Sequence, residues 1–337
     1  MAYTTIDNPE LYFQNKLYTG TGSTLSVTLD GDENMQPDLI WIEVRNQSSS
    51  AMIQDAVRGT DGTSYRASKP SANSTESTNS GFLTTIGSDG FTVGTNGKFN
   101  ASSDTYVASC WKETADAGFD IVAFEGTGSA RTLSHSLSAV PHLMITKQRE
   151  DPGGGSNSWN VYHHKNTSAP ETDYLTLNED SATSDSNIRW NDTAPTSSVF
   201  TVGTGNSVNQ DGVDHIMYLW SEKQGYSKFG TYKGNGNADG TFVYTGFRPA
   251  WIMSKISSDA DDWILTNSKI SPFNPVEKYN EANQTASELT SIEVDFLSNG
   301  FKWRHTDNQF NAAETYIYAA FSEAPFVNSK GVPCNAR

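Results

Sequence analysis

Few residues in this chain are of a type and spacing that could do chemistry. His135 lies between Ser134 and Ser136, but no strained glycine-flanked turn surrounds it, and serine-rich chains produce such neighbours by chance. His163 and His164 are adjacent. Adjacent strand residues face opposite sides, so the two cannot share a metal ion and read as surface histidines. Asp259, Asp261 and Asp262 beside Trp263 could supply one carboxylate of a glycoside-cleaving pair, yet no second acid can be assigned, and a solvated turn is the expected reading. Asp30, Asp32 and Asn34 begin a calcium-loop pattern that fails at Met35 and Trp41, where a glycine and a distant acid are needed. The glycine-rich stretches Asp151-Pro-Gly-Gly-Gly-Ser156 and Gly234 to Gly240 have no Lys-Ser/Thr pair and no following helix, so they read as loop tips rather than phosphate cradles. The expectation is a protein that is not an enzyme, with no cofactor and no metal.

Aromatic and polar side chains on the loops of a rigid scaffold are what remains, the kind of surface that stacks on sugar faces. Trp190, Tyr226, Trp251, Trp303 and His305 are the candidates, although large aromatics at strand positions are more often core.

The scaffold that would position them repeats. Tyr18-Thr-Gly-Thr-Gly-Ser23 returns as Phe124-Glu-Gly-Thr-Gly-Ser129 and Tyr232-Lys-Gly-Asn-Gly-Asn237. Pro37-Asp-Leu-Ile-Trp41 is answered by Pro141-His-Leu-Met-Ile145 and Pro249-Ala-Trp-Ile-Met253. Phe91-Thr-Val-Gly94 is answered by Phe200-Thr-Val-Gly203 and, more loosely, by Gly300 to Trp303. The closing segments Tyr106 to Glu113, His215 to Glu222 and Tyr316 to Glu323 each end on an aromatic residue and a glutamate. Landmarks in one order, three times over at a spacing of roughly a hundred residues, predict an internal triplication. A hundred residues can close a core. The expectation is therefore all-β: three tandem β-sandwiches of the jelly-roll or lectin-like type at 17–113, 114–224 and 225–324, joined by linkers near Thr114 to Gly118 and Lys223 to Ser227, with a compact propeller as the rival.

Composition agrees. Apolar residues make up 35% of 337, and the abundance of Ser, Thr, Asn, Asp and Gly suits turn-rich β structure with little helix. A net charge of −16 provides no positive field for nucleic acid. No apolar run approaches the roughly 20 residues that cross a bilayer, and residues 1–16 show no signal peptide. Cys110 and Cys334 cannot build a disulfide framework, and a buried free thiol is expected at Cys110.

Period-two patterns predict strands at Thr24 to Leu29, Leu39 to Val44, Trp159 to Tyr162, Tyr174 to Leu177 and Trp263 to Leu265. Val276, Tyr279 and Ala282 are spaced like one face of a helix over Pro275 to Ser287. Asp7-Asn8-Pro9-Glu10 predicts one capped helical turn. Residues 1–16 form an arm outside the repeats, carrying Tyr3, Ile6, Leu11, Tyr12 and Phe13. Such a density of apolar side chains suggests a contact surface, with Leu11, Tyr12 and Phe13 as anchors on another protein or a sister chain; packing of the arm onto the first domain is the alternative. Residues 325–337 read as an extended tail.

The Gly-Thr-Gly-Ser opening, Pro195 to Gly203, Gly225 to Phe247 and Glu323 to Pro333 resemble repeat-bearing virion structural proteins of marine tailed bacteriophages, of tail-fibre type, over nearly the whole chain. The resemblance implies a tail fibre or surface appendage, located in the virion and made in the host cytoplasm. Its partners would be other virion proteins, sister chains in a homotrimer and a host surface glycan, with no nucleic acid and no membrane insertion. A capsid-decorating or tail-associated role and a glycan depolymerase are the alternatives. It brings no catalytic residues.

Overall fold

A computed structural model describes residues 4–151 and 158–324. Tyr3 of the arm, most of the glycine-rich loop after Asp151, Cys334 and the tail lie outside the described residues. The chain is all-β. Among the described residues, helix is limited to a turn at Pro9–Leu11 and three four-residue pieces, Gly97–Asn100, Asn187–Trp190 and Asn206–Asn209. The first turn forms as its sequence dictates, with Pro9 at the start and the Asn8 side chain accepting from the Glu10 N–H at 3.1 Å.

Strands fall into three successive segments. The first holds β1 (Phe13–Thr19), β2 (Leu25–Thr28), β3 (Leu39–Val44), β4 (Met52–Asp55), β5 (Ala67–Ser68), β6 (Leu83–Gly87), β7 (Gly90–Val93) and β8 (Thr105–Trp111). The second holds β9 (Phe119–Glu125), β10 (Arg131–Ser134), β11 (Leu143–Gln148), β12 (Asn160–His163), β13 (Asp173–Thr176), β14 (Ser184–Asp185), β15 (Val199–Val202) and β16 (Asp214–Trp220). The third holds β17 (Ser227–Lys233), β18 (Phe242–Tyr244), β19 (Trp251–Ile256), β20 (Ile264–Asn267), β21 (Val276–Glu281), β22 (Leu289–Leu297), β23 (Gly300–Trp303) and β24 (Thr315–Phe321).

Main sheets run β1-β8-β3-β4-β5, β9-β16-β11-β12-β13-β14 and β17-β24-β19-β20-β21. Smaller layers run β2-β7-β6, β10-β15 and β18-β23-β22, the last continuous with its main sheet through β21 and β22. Between the two layers of each segment lies a private core. Ile40, Ile42, Tyr106 and Cys110 meet Val27 and Phe91 in the first. Met144, Met217 and Leu219 meet Phe200 in the second, and Ile252, Tyr316 and Tyr318 meet Val243 and Phe301 in the third.

The other face of every main sheet is buried too. Leu39, Trp41 and Trp111, then Ile145, Tyr218 and Trp220, then Trp251, Met253 and Phe321 all enter one common core. This is why β3, β8, β11, β16, β19 and β24 are buried nearly throughout and carry consecutive apolar residues, as in Leu39–Ile42, Leu143–Ile145 and Trp251–Met253. Trp111 stands edge-on to Trp220, Trp251 and Phe321, with ring centroids 6.5, 5.4 and 5.6 Å away. The segments are therefore not beads on a string. The two connections expected as linkers are closed turns, with Thr114 bridged to Phe119 and Lys223 to Ser227.

Equivalent hydrogen bonds sew the segments into a ring. Glu76 N–H donates to Arg149 O at 3.0 Å, Thr183 N–H to Ser257 O at 3.0 Å, and Glu288 N–H to Arg45 O at 2.8 Å, which returns the third segment to the first. Glu113 accepts from the Ile121 N–H at 3.0 Å, and Glu323 accepts from the Asn15 N–H at the matching place in β1. Arg45–Glu288 and Arg149–Glu76 add ion pairs at two of the seams. At the seam of the first and second segments the Tyr218 hydroxyl also donates to Asp55 at 2.7 Å.

Three expectations are corrected. Residues 13–16 belong to β1, paired along its length with β8, so the first segment starts before Leu17. Phe13 is 0% exposed, its ring 5.0 Å from Trp111 and 5.4 Å from Phe321. Ile6 is buried in the same core, and Tyr12 packs against it with its ring 6.0 Å from Tyr226. Phe13 is thus an internal anchor between the third and first segments, with no surface to offer a partner, while Leu11 and Tyr12 are half-buried beside it. The helix over Pro275 to Ser287 is the strand β21. A bulge between Val276 and Lys278 shifts its register and turns Val276 and Tyr279 to the same core, a spacing that imitates a helix.

Truncating Trp111 to Ala should cost about 3–5 kcal/mol and should lower the whole chain's stability in one cooperative denaturant transition rather than release the first segment alone. Equilibrium unfolding followed by fluorescence and by circular dichroism checks both points, and two separated transitions would count against the common core.

Candidate functional site

Most of the chemistry-bearing residues are spent on architecture. The repeated Gly-x-Gly is a turn clamped by a buried asparagine. Asn100 accepts from the Thr21 N–H at 2.7 Å, Asn209 from the Thr127 N–H at 3.0 Å and Asn311 from the Asn235 N–H at 3.2 Å. Gly22, Gly128 and Gly236 all take positive φ near 65–71°, and a Cβ on Gly20, Gly126 or Gly234 would sit 2.0–2.1 Å from a carbonyl oxygen. The motif is glycine for close approach, not for phosphate.

His163 is buried, not on the surface. Its Nε2–H donates to Tyr318 O at 3.1 Å across the seam to the third segment, while Nδ1 accepts from the Lys165 N–H at 3.2 Å. His164 donates to Phe229 O at 2.8 Å, and its ring stands 4.3 Å from that of His142. Burial holds the His163 imidazole down to about 3, with His164 beside it adding to the depression, and burial holds His164 down to about 4. The His135 Nε2–H donates to Thr196 O at 3.1 Å, and its Nδ1 accepts from the Leu137 N–H at 3.3 Å. Asp262 is occupied by Asn283 and Gln284, and Asp261 by Asn308. Among the described residues no group of three or more His, Cys, Asp or Glu could hold a metal ion. Cys110 is buried and free, and burial raises its thiol. Trp190, Tyr226, Trp251 and Trp303 are core residues. Of the sugar-stacking candidates only His305 reaches a surface, in a polar groove of about 270 Å³ with Glu277, Thr290, Ser291 and Glu293.

The segments differ on the outer faces of their small layers. Val27, Leu133 and Val243 occupy matching inward positions of β2, β10 and β18, each paired with a phenylalanine, Phe91, Phe200 or Phe301. Strand alternation then fixes what points outward. In the first segment one outward row is Ser26, Thr92 and Thr85, and in the second it is the exposed Thr132 paired with Thr201, which is buried. In the third the same row reads Phe242, Lys302 and Asp295, and the next reads Tyr244, Gly300 and Leu297.

This third face is aromatic and charged. Phe242 is 43% and Tyr244 56% exposed. A Cβ on Gly300 would lie 2.1 Å from Val243 O and 2.9 Å from the Phe242 ring, just as one on Gly90 would lie 2.1 Å from Val27 O, so the glycine serves the close backbone approach first and also leaves room for that ring. Lys302 bonds Asp239 at 2.6 Å, and Arg304 bonds Asp239 at 3.1 Å and Asp295 at 2.7 Å. An edge strand with two exposed rings beside an ordered ion-pair cluster can stack on one face of a sugar while carboxylates and amino groups take its hydroxyls. The His305 groove is built from β22, from the residue before Lys278 on β21 and from the chain just beyond β23. Phe242 and Tyr244 could have been found in the sequence from the inward register of Val243 alone, because the three repeats align there.

Exposed rings that serve no core can be removed cheaply. Phe242→Ala and Tyr244→Ala should each stay within about 0.5 kcal/mol of the parent in urea unfolding, against several kcal/mol for the buried Phe301. The seam histidine behaves differently. Held neutral when folded and free to protonate when unfolded, His163 contributes stability that is full above about pH 6.5 and declines as pH falls toward its folded value. Glu113 and Glu323, raised to about 7 chiefly by burial, act in the opposite sense as pH rises from about 4.5 through 7. The difference between the parent and His163→Gln isolates the histidine. It should shrink on acidification by at most about 1.4 kcal/mol per pH unit, as read from chemical unfolding at a series of pH values.

No curated protein matches the chain. Residues 8–325, which include every strand among the described residues, match a family whose description is a domain of unknown function, DUF7483, and the chain belongs to that family.

Proposed function

We propose that this protein is a structural component of a tailed-bacteriophage particle, a tail fibre or surface appendage, and that the outer face of β18, β23 and β22 contacts a glycan of the host surface. The carrying observation is that face: where the first two segments present serine and threonine, the third presents Phe242, Tyr244, Lys302 and Asp295 on an otherwise matching scaffold. The sequence resemblance to virion proteins supports the setting. We further propose that the three segments are copies of one β-sandwich unit, meeting at the turns 114–118 and 223–227. The recurring strand order and the recurring asparagine clamp support that origin. In this reading two copies serve chiefly as architecture and the third carries recognition, with no chemical step.

A stacking contact is worth about 1 kcal/mol, so the double variant Phe242→Ala, Tyr244→Ala should lose at least about tenfold in affinity for purified host surface polysaccharide while keeping the parent melting temperature. Titration calorimetry with both proteins measures it. Equal affinity of parent and variant would reject this face as the contact, and labelled antibody finding the protein absent from particles would reject the setting.

A further inference from the structure

The three seams are built alike, and one of them lacks the buried lysine of the other two. The fifth residue of each central strand, at the end of the common core, is Glu43 in β3, Lys147 in β11 and Lys255 in β19. All three are buried. The residue just before the next strand is Ala51, Trp159 and Trp263 in turn. At the seam between the first and second segments the Trp159 indole donates to Lys69 O at 2.8 Å, and the Lys147 ammonium lies 5.8 Å over its ring. At the seam between the second and third the Trp263 indole donates to Thr176 O at 3.0 Å, and the Lys255 ammonium donates to Ile256 O at 2.6 Å and Asp259 O at 3.2 Å.

Between the third and first segments both groups are replaced. An alanine stands for the tryptophan, a carboxyl for the ammonium. A cavity of about 10 Å³ is left, lined by Glu43, Ala51, Asn280, Glu281, Gln284 and Ala286 among others, which is room for one water-sized occupant. Register places Asn280 where the second segment has Leu175 and the first Ser68. Asn280 is 5% exposed, and its Oδ1 has no hydrogen-bond partner, a costly state for a buried acceptor. The neighbouring charges are already paired. Glu288 takes Arg45 at 2.6 Å and Lys278 at 2.9 Å, and Glu281 accepts from Gln309 at 3.2 Å. Among the described residues no cation pairs with Glu43.

We propose that this seam binds a single monovalent cation of potassium or ammonium size, held between the Glu43 carboxylate and the Asn280 side-chain oxygen, in the place that lysine ammonium groups fill at the two sister seams. One carboxylate and one amide oxygen neutralise a single charge, and the cavity matches an ion about as large as water. The ion competes with a proton, because burial and the nearby Glu288 push the Glu43 carboxyl up to about 8.

The test is thermal unfolding of the full chain at pH 8.5 in potassium, ammonium or choline chloride at equal ionic strength. Potassium and ammonium should raise the midpoint saturably, by about 2 °C or more relative to choline, an ion too large for the cavity. Glu43→Gln should abolish that difference. So should Ala51→Trp, which supplies the indole of the sister seams and fills the space, and it serves as the second probe if Glu43→Gln does not fold. Identical midpoints in potassium and choline for the parent, or an undiminished difference in either folded variant, would overturn the proposal.

Discussion

Everything in this fold depends on the second face of each main sheet. A sheet covered on one side by its own small layer could have left the other to solvent. Here the residues on that side, among them Trp41, Trp111, Trp220, Trp251, Met253 and Phe321, are apolar and large, and they find cover only in the two companion sheets. The free energy of burying them, about 25 cal/mol per Å², is available only once all three segments have met. Closure then becomes obligatory, and residues at the two ends of the chain supply it: Phe13 against Phe321, and Asn15 against Glu323. The arm is the first stave of the ring and not an appendage to it.

A common apolar axis leaves the periphery of each seam to polar chemistry, and there the three segments have diverged. One seam carries Asp55, Arg58, Glu76 and Arg149 in a buried network, with Arg58 and Asp55 fully enclosed. Another carries three clustered histidines together with bonds from the Trp263 indole and the Thr183 N–H to backbone carbonyls. The last relies on Arg45 and Glu288. Buried charges are a poor source of net stability but a strong penalty when mispaired. Three different sets therefore favour each segment meeting its proper neighbour and not a copy of itself.

The outer surfaces are free of these constraints. A small layer needs apolar residues on its inner side only, so Ser26, Thr132 and Phe242 are equally compatible with folding. That freedom lets aromatic and charged residues accumulate on one segment without disturbing the rest, as they do on the third.

The sequence by itself determined the strands and their recurrence. β3 falls on Leu39–Val44 as its alternation requires, and the Asn8-Pro9-Glu10 turn forms from local capping alone. These are short-range effects, decided by backbone geometry and side-chain period. Where the local signal was ambiguous, tertiary contacts decided. β21 imitates a helix because a bulge, visible only once its pairing with β22 is known, displaces Tyr279. Phe13 reads as an exposed anchor until the third segment arrives to cover it, and His163 reads as surface until Tyr318 supplies its acceptor. The candidate face was half legible: Val243 inward puts Phe242 and Tyr244 outward, but their alignment with Lys302 and Asp295 needs the strand register. Period alone says that a residue faces one of two sides. Whether that side meets water, its own layer or a neighbouring segment depends on residues far away in the chain, and no local pattern encodes it.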